Sequence, residues 1–295
     1  MRYSIYVFLG ACSFGVLSTF VKLAYADGYT VNQVSGSQML FGLLLFAVVY
    51  PFTGKSRMTL RQTAFLLLVG ITVGLTGIFY YSALQTIPAS IAIVLLFQFT
   101  WMGVLMEAFL ARRKPDRSQW ISLVLLFGGT ILAGGILGTQ GALEGITWTG
   151  VVLGLLSALS YAFFIVLSGK APAELPFIQR SLVISVGSLI ITFLIFPPDF
   201  LADGSLFGRL SLWGFLLGFF GPVIPTLLFT IGVPRIGGSL ASILSAAELP
   251  VAVLMSWLVL SETVSGWQWV GVAVILTGIV LPEWLTRRSK EAGPA

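Results

Sequence analysis

Long apolar runs alternate with short polar connections along the whole chain. A helix rises 1.5 Å per residue and needs about 20 mostly apolar residues to cross a hydrocarbon core of about 30 Å. Ten runs are long enough, and no connection between them is long enough for a separate soluble domain. The pattern therefore predicts ten transmembrane helices, near residues 4–26, 33–52, 63–85, 87–110, 119–137, 148–169, 177–197, 211–233, 238–260 and 266–285.

The composition also indicates a membrane protein. Hydrophobic residues make up 57% of the chain and charged residues 9%, whereas about a quarter of the residues in soluble domains are charged. The net charge of +5 comes from short basic clusters between apolar runs, a pattern that indicates membrane orientation and not a nucleic-acid surface. We therefore expect an all-α integral membrane protein that has the lipid bilayer, and no nucleic acid, as a partner.

Lysine and arginine collect on one side of the predicted membrane. If the N-terminus is inside, only Lys22 and Arg209 of the 16 basic residues lie toward the outer side. The cytoplasmic set is Arg2, Lys55, Arg57, Arg61, Arg112, Arg113, Lys114, Arg117, Lys170, Arg180, Arg235, Arg287, Arg288 and Lys290. Because cytoplasmic loops carry an excess of basic residues, we expect both termini in the cytoplasm and a multi-pass protein of the bacterial plasma (inner) membrane.

The chain resembles itself when it is shifted by 149 residues without a gap. The identical pairs include Ile87 and Ile236, Ser90 and Ser239, Ala92 and Ala241, Leu105 and Leu254, Met106 and Met255, Gln119 and Gln268, Trp120 and Trp269, and Gly129 and Gly278. Two halves, residues 1–141 and 146–295, would hold five helices each, and an odd number inserts the second half from the opposite side. This inverted-topology repeat is typical of secondary transporters, whose substrate site lies near the midplane where the halves meet.

Glu248 and Pro250 lie in the middle of the ninth apolar run. An ionised side chain at mid-bilayer costs at least about 2.5 kcal/mol on insertion scales, so Glu248 must face protein or water. Pro250 lacks an amide donor and displaces the carbonyl of Ala246, which predicts a kink with a polar backbone group facing a cavity. Glu248 is then either a site for substrate and protons, with Pro250 as a hinge, or a protonated side chain bonded to a neighbouring helix.

Four more intramembrane residues are candidates for substrate binding. In the first half, Gln98 lies beside the counterpart of Glu248, and Trp101 lies at the counterpart of Pro250. They offer an amide and an indole to a ligand, or else a helix-to-helix hydrogen bond and a packing surface. Tyr81 and Tyr161 offer hydroxyl groups and ring faces, although tyrosine is also common at helix contacts.

A second helix break is expected in the eighth run, where Pro222 and Pro225 follow Gly221. Proline and glycine together kink transmembrane helices, and broken helices serve transporters as moving parts. The break is either a hinge or a static kink.

The residues that enzymes commonly use are scarce. The chain has no histidine and one cysteine, Cys12, and it lacks a phosphate-binding glycine loop ending in Lys-Ser/Thr and a nucleophile with an evident base. We therefore expect no catalytic residues, no metal and no cofactor.

The segment 240–281, LASILSAAELPVAVLMSWLVLSETVSGWQWVGVAVILTGIVL, resembles the repeat signature of the EamA-like family of the drug/metabolite transporter superfamily. The resemblance rests on Glu248-Leu-Pro250 at mid-helix, on Glu262 near the helix end and on a glycine-bearing final span. The first half departs from the signature, with Phe99 and Trp101 at the matching places. The resemblance implies a carrier of amino acids, other small metabolites or cationic drugs.

Two kinds of transport fit this sequence. Our first hypothesis is a secondary transporter that exports a small organic metabolite, an amino acid or a related compound, by alternating access, with protons as a possible coupling ion. The alternative is a lipophilic-cation or multidrug efflux pump, favoured by the aromatic residues and the lone midplane acid. A membrane-embedded enzyme or a scaffold is a weaker hypothesis, since the acids are scattered along the chain. Either a monomer or a homodimer is compatible with the sequence.

Overall fold

The structure, a computed structural model, describes residues 2–136 and 146–291, with side chains described as far as residue 282. The predicted end of the first half at residue 141 and residues 292–295 lie outside the described residues. No β-strand forms within these ranges. The α-helices are α1 (Arg2–Ala26), α2 (Val31–Val49), α3 (Leu60–Leu84), α4 (Ala89–Leu96), α5 (Phe99–Leu110), α6 (Arg117–Ala133), α7 (Trp148–Ser168), α8 (Phe177–Ile195), α9 (Leu210–Gly218), α10 (Ile224–Ile236), α11 (Gly238–Ser245), α12 (Glu248–Val259) and α13 (Gly266–Glu291).

Eight segments of the described chain are long and apolar enough to cross a membrane. Four are single helices, and in a fifth α2 continues into a 3-10 turn, Tyr50–Phe52. The other three are pairs that a short interruption divides: α4 with α5, α9 with α10, and α11 with α12. Two further apolar helices, α6 and the Gly266–Pro282 part of α13, are shorter. The prediction of an all-helical membrane protein is therefore confirmed.

Small residues bring the helices into close contact, as the spacing of glycines in the sequence suggests. On α3, a Cβ atom at Gly74 would lie 2.9 Å from the carbonyl oxygen of Ser188 on α8. A Cβ atom at Gly271 on α13 would lie 2.7 Å from the carbonyl oxygen of Gly129 on α6. Because no side chain stands between these backbones, the helices pack at distances that larger residues would prevent.

The elements of the two halves recur at an offset of 149 residues. Helix α4 begins and ends 149 positions before α11, and α5 does so before α12. Arg112 and Ser261, which are equivalent at this offset, both have left-handed backbone angles, with φ of 50° and 54°. The next helices, α6 and α13, begin with matching capping interactions, in which Gln119 and Gln268 accept the amides of Asp116 and Ser265 at 3.0 and 2.9 Å.

The interruption before Glu248 corrects our expectation for Pro250. Helix α11 ends at Ser245 and α12 begins at Glu248, so Pro250 is the third residue of a new helix, where its missing amide donor has little consequence. The carbonyl of Ala246, which we expected to be free, accepts the amide of Leu249 at 3.3 Å. The first half breaks at the same offset, between Leu96 and Phe99, without any proline. The proline is therefore compatible with the break but is not needed to form it.

The second expected break is present between α9 and α10. A π-helical turn, Phe219–Val223, contains Pro222, and Pro225 is the second residue of α10. The hydroxyl group of Ser13 on α1 donates to the carbonyl oxygen of Phe220 at 2.7 Å. The bundle therefore supplies a partner to the irregular backbone, as a low-dielectric environment requires.

Candidate functional site

A cavity of about 370 Å³ lies between the helices at the centre of the bundle. On α1 its lining extends from Phe14 to Tyr25, which is about 16 Å of helix at 1.5 Å per residue. The cavity continues to one end of the bundle, which Tyr25, Leu84 and Ala89 surround and which we call the mouth end. Most of the wall is apolar. The polar side chains on it are Ser18, Lys22, Tyr25, Gln38, Thr76, Tyr80, Tyr81, Tyr161 and Glu248.

Glu248 occupies the inner part of this cavity. It is the first residue of α12, where the helix dipole favours a negative charge. Oε2 of Glu248 accepts a hydrogen bond from the hydroxyl group of Tyr161 at 3.4 Å. Among the described residues no other side chain donates to this carboxylate, and no cation forms an ion pair with it. Glu248 therefore presents unoccupied acceptor positions to the cavity.

Tyr81 and Tyr161, both predicted from the sequence, line the same cavity. The hydroxyl group of Tyr81 donates to Oε1 of Gln38 on α2 at 3.3 Å. The ring of Tyr161 packs against the ring of Phe99 with centroids 4.4 Å apart. Both tyrosines are almost fully buried, so each has its ring fixed by packing and its hydroxyl group directed by one partner. Gln38 is a member of the site that the sequence hypothesis did not select.

Gln98 and Trp101 do not line the cavity, contrary to our expectation. The amide of Gln98 donates to the carbonyl of Val94 at 2.8 Å, and Oε1 of Gln98 accepts the indole N–H of Trp101 at 2.8 Å. These bonds give partners to the Gln98 side chain and to the carbonyl of Val94 near the break between α4 and α5. Both side chains therefore have local partners, and Trp101 is 39% exposed at the bundle surface.

Aromatic rings close the inner end of the cavity. Phe14 meets the rings of Tyr161 and Phe229 edge-on, with centroids 5.7 and 6.3 Å away. Phe164 stacks on Phe229 at 5.5 Å. Phe99, Phe164 and Phe229 have at most 1% of their surface exposed. This aromatic floor separates the cavity from the half of the bundle opposite the mouth end.

An ion pair joins α1 to the connection between α12 and α13 at the mouth end. Nζ of Lys22 lies 2.9 Å from both carboxylate oxygens of Glu262, and the hydroxyl group of Ser256 also contacts this carboxylate. Partial burial acts to raise the pKa of Glu262, but hydrogen bonds from Ser256 and Lys22 and the charge of Lys22 lower it overall. Each side chain of the pair is about half exposed.

Lys22 also borders a second cavity of about 240 Å³ beside the first. Ser18 and Tyr80 line both cavities, and the additional polar groups of the second are Thr19, Ser90, Ser256, Glu262, Thr263 and Gln268. The more polar cavity therefore lies next to the mouth of the more apolar one. The sequence alone places Lys22 toward the outer side and Glu262 near a helix end, but it does not predict that the two side chains form an ion pair.

The chain is similar to known membrane transporters. The sequence model of the EamA-like transporter family matches residues 1–135 and residues 148–282. The threonine/homoserine exporter RhtA of Salmonella typhimurium is 26% identical over 256 residues, which cover 86% of this chain and 80% of that protein. RhtA of Escherichia coli is 25% identical over the same length and shares of the two chains.

Two other proteins are similar over nearly the whole length. An uncharacterized transporter of Archaeoglobus fulgidus is 28% identical over 282 residues, covering 93% of this chain and 94% of that protein. A protein of known crystal structure, 19% identical, superposes with a TM-score of 0.75 over 97% of this chain and 99% of its own. At 19% identity, this superposition shows that the two proteins share a fold and nothing more. Because the family model covers both halves of the sequence, the chain belongs to the EamA-like transporter family and is a multi-pass membrane transporter.

Proposed function

We propose that this protein exports a small organic metabolite, an amino acid or a related compound, across the bacterial plasma (inner) membrane by alternating access. The observation that carries the proposal is the carboxylate of Glu248, which has one hydrogen-bond donor and lies in a cavity of about 370 Å³. This volume is within the range of about 300–1,000 Å³ for small-molecule sites. The names of the RhtA relatives support export of an amino acid.

The proposed architecture has ten spans in two inverted repeats, approximately residues 1–141 and 146–295, with both termini in the cytoplasm. The two short apolar helices, α6 and α13, pack against each other, and 17 residues of α6 rise about 25 Å, close to the thickness of a hydrocarbon core. The two family-model matches and the offset of 149 residues between equivalent elements support the repeat. In this orientation the mouth end faces the outside of the cell.

In the proposed cycle, the structure corresponds to the outward-open state. The aromatic floor blocks the cytoplasmic side, and the cavity reaches the mouth end. Opening toward the cytoplasm requires the floor to separate and the mouth to close, which is the rocking of two halves that inverted repeats permit. The π-helical turn with Pro222 and Pro225 and the break between Ser245 and Glu248, two residues before Pro250, lie where such a movement would bend the chain. We propose Pro222, Pro225 and Pro250 as hinge positions.

We propose that Glu248 binds the amino group of the substrate, assisted by Tyr161 and Tyr81. The carboxylate of Glu248 has no cationic partner in the cavity, and the ammonium group of an amino acid would supply one. The hydrogen bond between the two would be charge-assisted and therefore stronger than a neutral one. The same carboxylate is the proposed proton-coupling group. Protonation of Glu248 removes the negative charge that holds the substrate, so a proton and a substrate would compete for one site.

The test is counterflow in proteoliposomes with a panel of radiolabelled amino acids, including threonine and homoserine. Exchange of one or several amino acids, dependent on the protein, would support the proposal. Absence of exchange for the whole panel, with a protein shown to be folded by thermal unfolding, would contradict the assignment to amino acids.

Efflux of lipophilic cations is the second candidate, because aromatic rings surround the lone acid of the cavity. Tyrosine rings and a carboxylate together bind organic cations well. Overproduction of the protein in cells distinguishes the two functions. Protection against many unrelated cations would favour the efflux pump, whereas protection against an excess of one amino acid and not against the cations would favour the metabolite exporter.

A further inference from the structure

Arg180, near the start of α8, is a buried cation that has no ion pair with any of the described residues. Only 6% of its surface is exposed. Its Nε and Nη1 atoms are inaccessible and have no hydrogen-bond partner. Because buried guanidinium groups are ordinarily paired and fully hydrogen-bonded, this side chain requires a reason of its own. From the sequence alone, Arg180 is one of the basic residues that indicate the cytoplasmic side of the membrane.

The nearest acid does not neutralise Arg180. Glu174, in the connection between α7 and α8, contributes a favourable charge interaction, but no ion pair within 4.0 Å forms between the two side chains. Oε1 of Glu174 instead accepts a hydrogen bond from the amide of Gln62 on α3 at 2.8 Å. The positive charge of Arg180 therefore remains largely uncompensated.

The position of Arg180 on its helix is also unfavourable for a cation. It is the fourth residue of α8, and the residue before the helix, Pro176, supplies no side-chain hydrogen bond to the first amides. The N-terminus of a helix carries a partial positive charge and unpaired N–H groups. Because side chains on a helix lean toward its N-terminus, the guanidinium group adds its charge to that of the first turn.

The connection between α2 and α3 brings more positive charge to this place. The amide of Ser56 donates to Oε1 of Gln179 at 3.0 Å, and Nε2 of Gln179 donates to the carbonyl of Ser56 at 2.8 Å. These two hydrogen bonds, which we call the clamp, hold the connection against the first turn of α8. The neighbours of Ser56 in sequence are Lys55 and Arg57, both exposed, so the surface around the clamp attracts anions.

We propose that Arg180 and the first turn of α8 form an oxyanion-binding site on the cytoplasmic side of the transporter. The guanidinium group and the helix amides are the two donors that proteins use most for carboxylate and phosphate groups. The ligand is a carboxylate on a solute that enters from the cytoplasm, or the phosphate of an anionic lipid. In the first case the site deepens the proposed function, on which that part rests: the substrate carboxylate meets Arg180 before its amino group reaches Glu248.

The experiment compares the wild type with Arg180→Met, Arg180→Lys and the control Arg61→Met, each purified as the full chain in a neutral detergent. Arg61 is an exposed basic residue at the start of α3, so Arg61→Met and Arg180→Met change the net charge equally. Thermal unfolding is measured in chloride, in acetate and in inorganic phosphate at equal ionic strength. These salts also stabilise folded proteins in general. Because this general effect is the same in all variants, only the difference between variants reports binding at Arg180.

The proposal predicts that acetate or phosphate raises the unfolding midpoint of the wild type and of Arg61→Met more than that of Arg180→Met. In chloride, Arg180→Met should unfold at a higher temperature than the wild type, because an unpaired buried charge is removed. Arg180→Lys should retain a reduced anion response, since its ammonium group lacks the planar fork of arginine. An equal response of the wild type and Arg180→Met to acetate and phosphate would overturn the assignment to a dissolved carboxylate.

Repeating the measurement with phosphatidylglycerol and phosphatidylcholine separates the two sources of the oxyanion. An Arg180-dependent response to phosphatidylglycerol, with none to acetate, assigns the site to a lipid phosphate, whereas a response to acetate assigns it to a dissolved carboxylate. Absence of an Arg180-dependent response to any of these probes would overturn the site. These results do not depend on transport, so failure of the amino-acid counterflow would leave them intact.

Discussion

The hydroxyl group of Tyr161 on α7 donates to the carboxylate of Glu248 on α12 across 3.4 Å. The two residues come from different helices of the second half, and the ring of Tyr161 is held by Phe14, Phe99 and Phe164. The hydrogen bond therefore orients the carboxylate relative to a rigid aromatic wall. It leaves the other oxygen of Glu248 for a ligand.

Tyr161→Phe should weaken substrate binding and leave stability almost unchanged. The substitution keeps the ring contacts but removes the hydroxyl donor. A hydrogen bond to a charged group contributes about 1.5–3 kcal/mol, and for this long bond we expect about 1 kcal/mol, or roughly a five-fold lower affinity. Isothermal titration of the purified variant with the transported substrate measures the change. The control is Tyr29→Phe, because Tyr29 does not line the cavity. Equal substrate affinities of the wild type, Tyr161→Phe and Tyr29→Phe would contradict a role of the Tyr161 hydroxyl group in substrate binding.

Exchange of the charges of Lys22 and Glu262 should restore function that either single reversal removes. Lys22→Glu or Glu262→Lys places like charges across the mouth, whereas the double variant restores an ion pair of opposite polarity. Because both side chains are about half exposed, the pair should stabilise the fold by less than about 1 kcal/mol. The effect is therefore expected in the transport rate. A double variant no better than the single ones would contradict a role for the ion pair in transport.

The Lys22–Glu262 pair should be lost on acidification. The folded-state pKa of Glu262 is lowered, so its contribution is present above the ordinary carboxyl pKa of about 4.3 and disappears as pH falls through the lower folded value. The unfolding midpoint of the wild type should therefore exceed that of Glu262→Gln at neutral pH. The difference should shrink below about pH 4.3 and vanish below the lowered folded-state pKa of Glu262. A difference that does not change with pH would contradict the ion pair.

Gly15→Ala should damage the site, whereas Gly128→Ala should not. A Cβ atom at Gly15 on α1 would lie 2.5 Å from the carbonyl oxygen of Glu248 and 2.7 Å from Cβ of Val251. The methyl group must push α1 away from α12, at a cost of about 1–3 kcal/mol. A Cβ atom at Gly128 meets nothing within 4 Å, so alanine there should stabilise the helix by about 0.5–1 kcal/mol. Thermal unfolding and substrate affinity, measured together, test both expectations.

The apolar pattern of the sequence predicted the helices well, because spans of about 20 residues follow directly from the thickness of a bilayer. It also selected Glu248, since a lone acid at mid-span is costly unless it serves a purpose. Tyr81 and Tyr161, which the sequence offered as substrate-binding candidates, line the same cavity as Glu248, although only packing decides which tyrosine faces a cavity.

Other parts of the site depend on contacts that pattern alone does not contain. Gln98 was expected to face a ligand, but its amide satisfies the backbone at a helix break that the sequence did not reveal in the first half. The break forms there without proline, so the signal that we read from Pro250 was incomplete. The ion pair of Lys22 with Glu262 and the lack of a partner for the Nε and Nη1 atoms of Arg180 depend on how helices far apart in sequence pack together, which the sequence pattern does not contain.

Glu248→Gln tests the central claim most directly. The substitution keeps the size of the side chain and its ability to accept a bond from Tyr161, but it removes the charge and the titratable proton. Counterflow of the amino acid that the wild type transports should fall at least ten-fold in the variant, and the remaining transport should not depend on pH. Asp199→Asn, at an exposed acid outside the cavity, should behave as the wild type. Unchanged transport with an unchanged pH profile in Glu248→Gln would contradict the account.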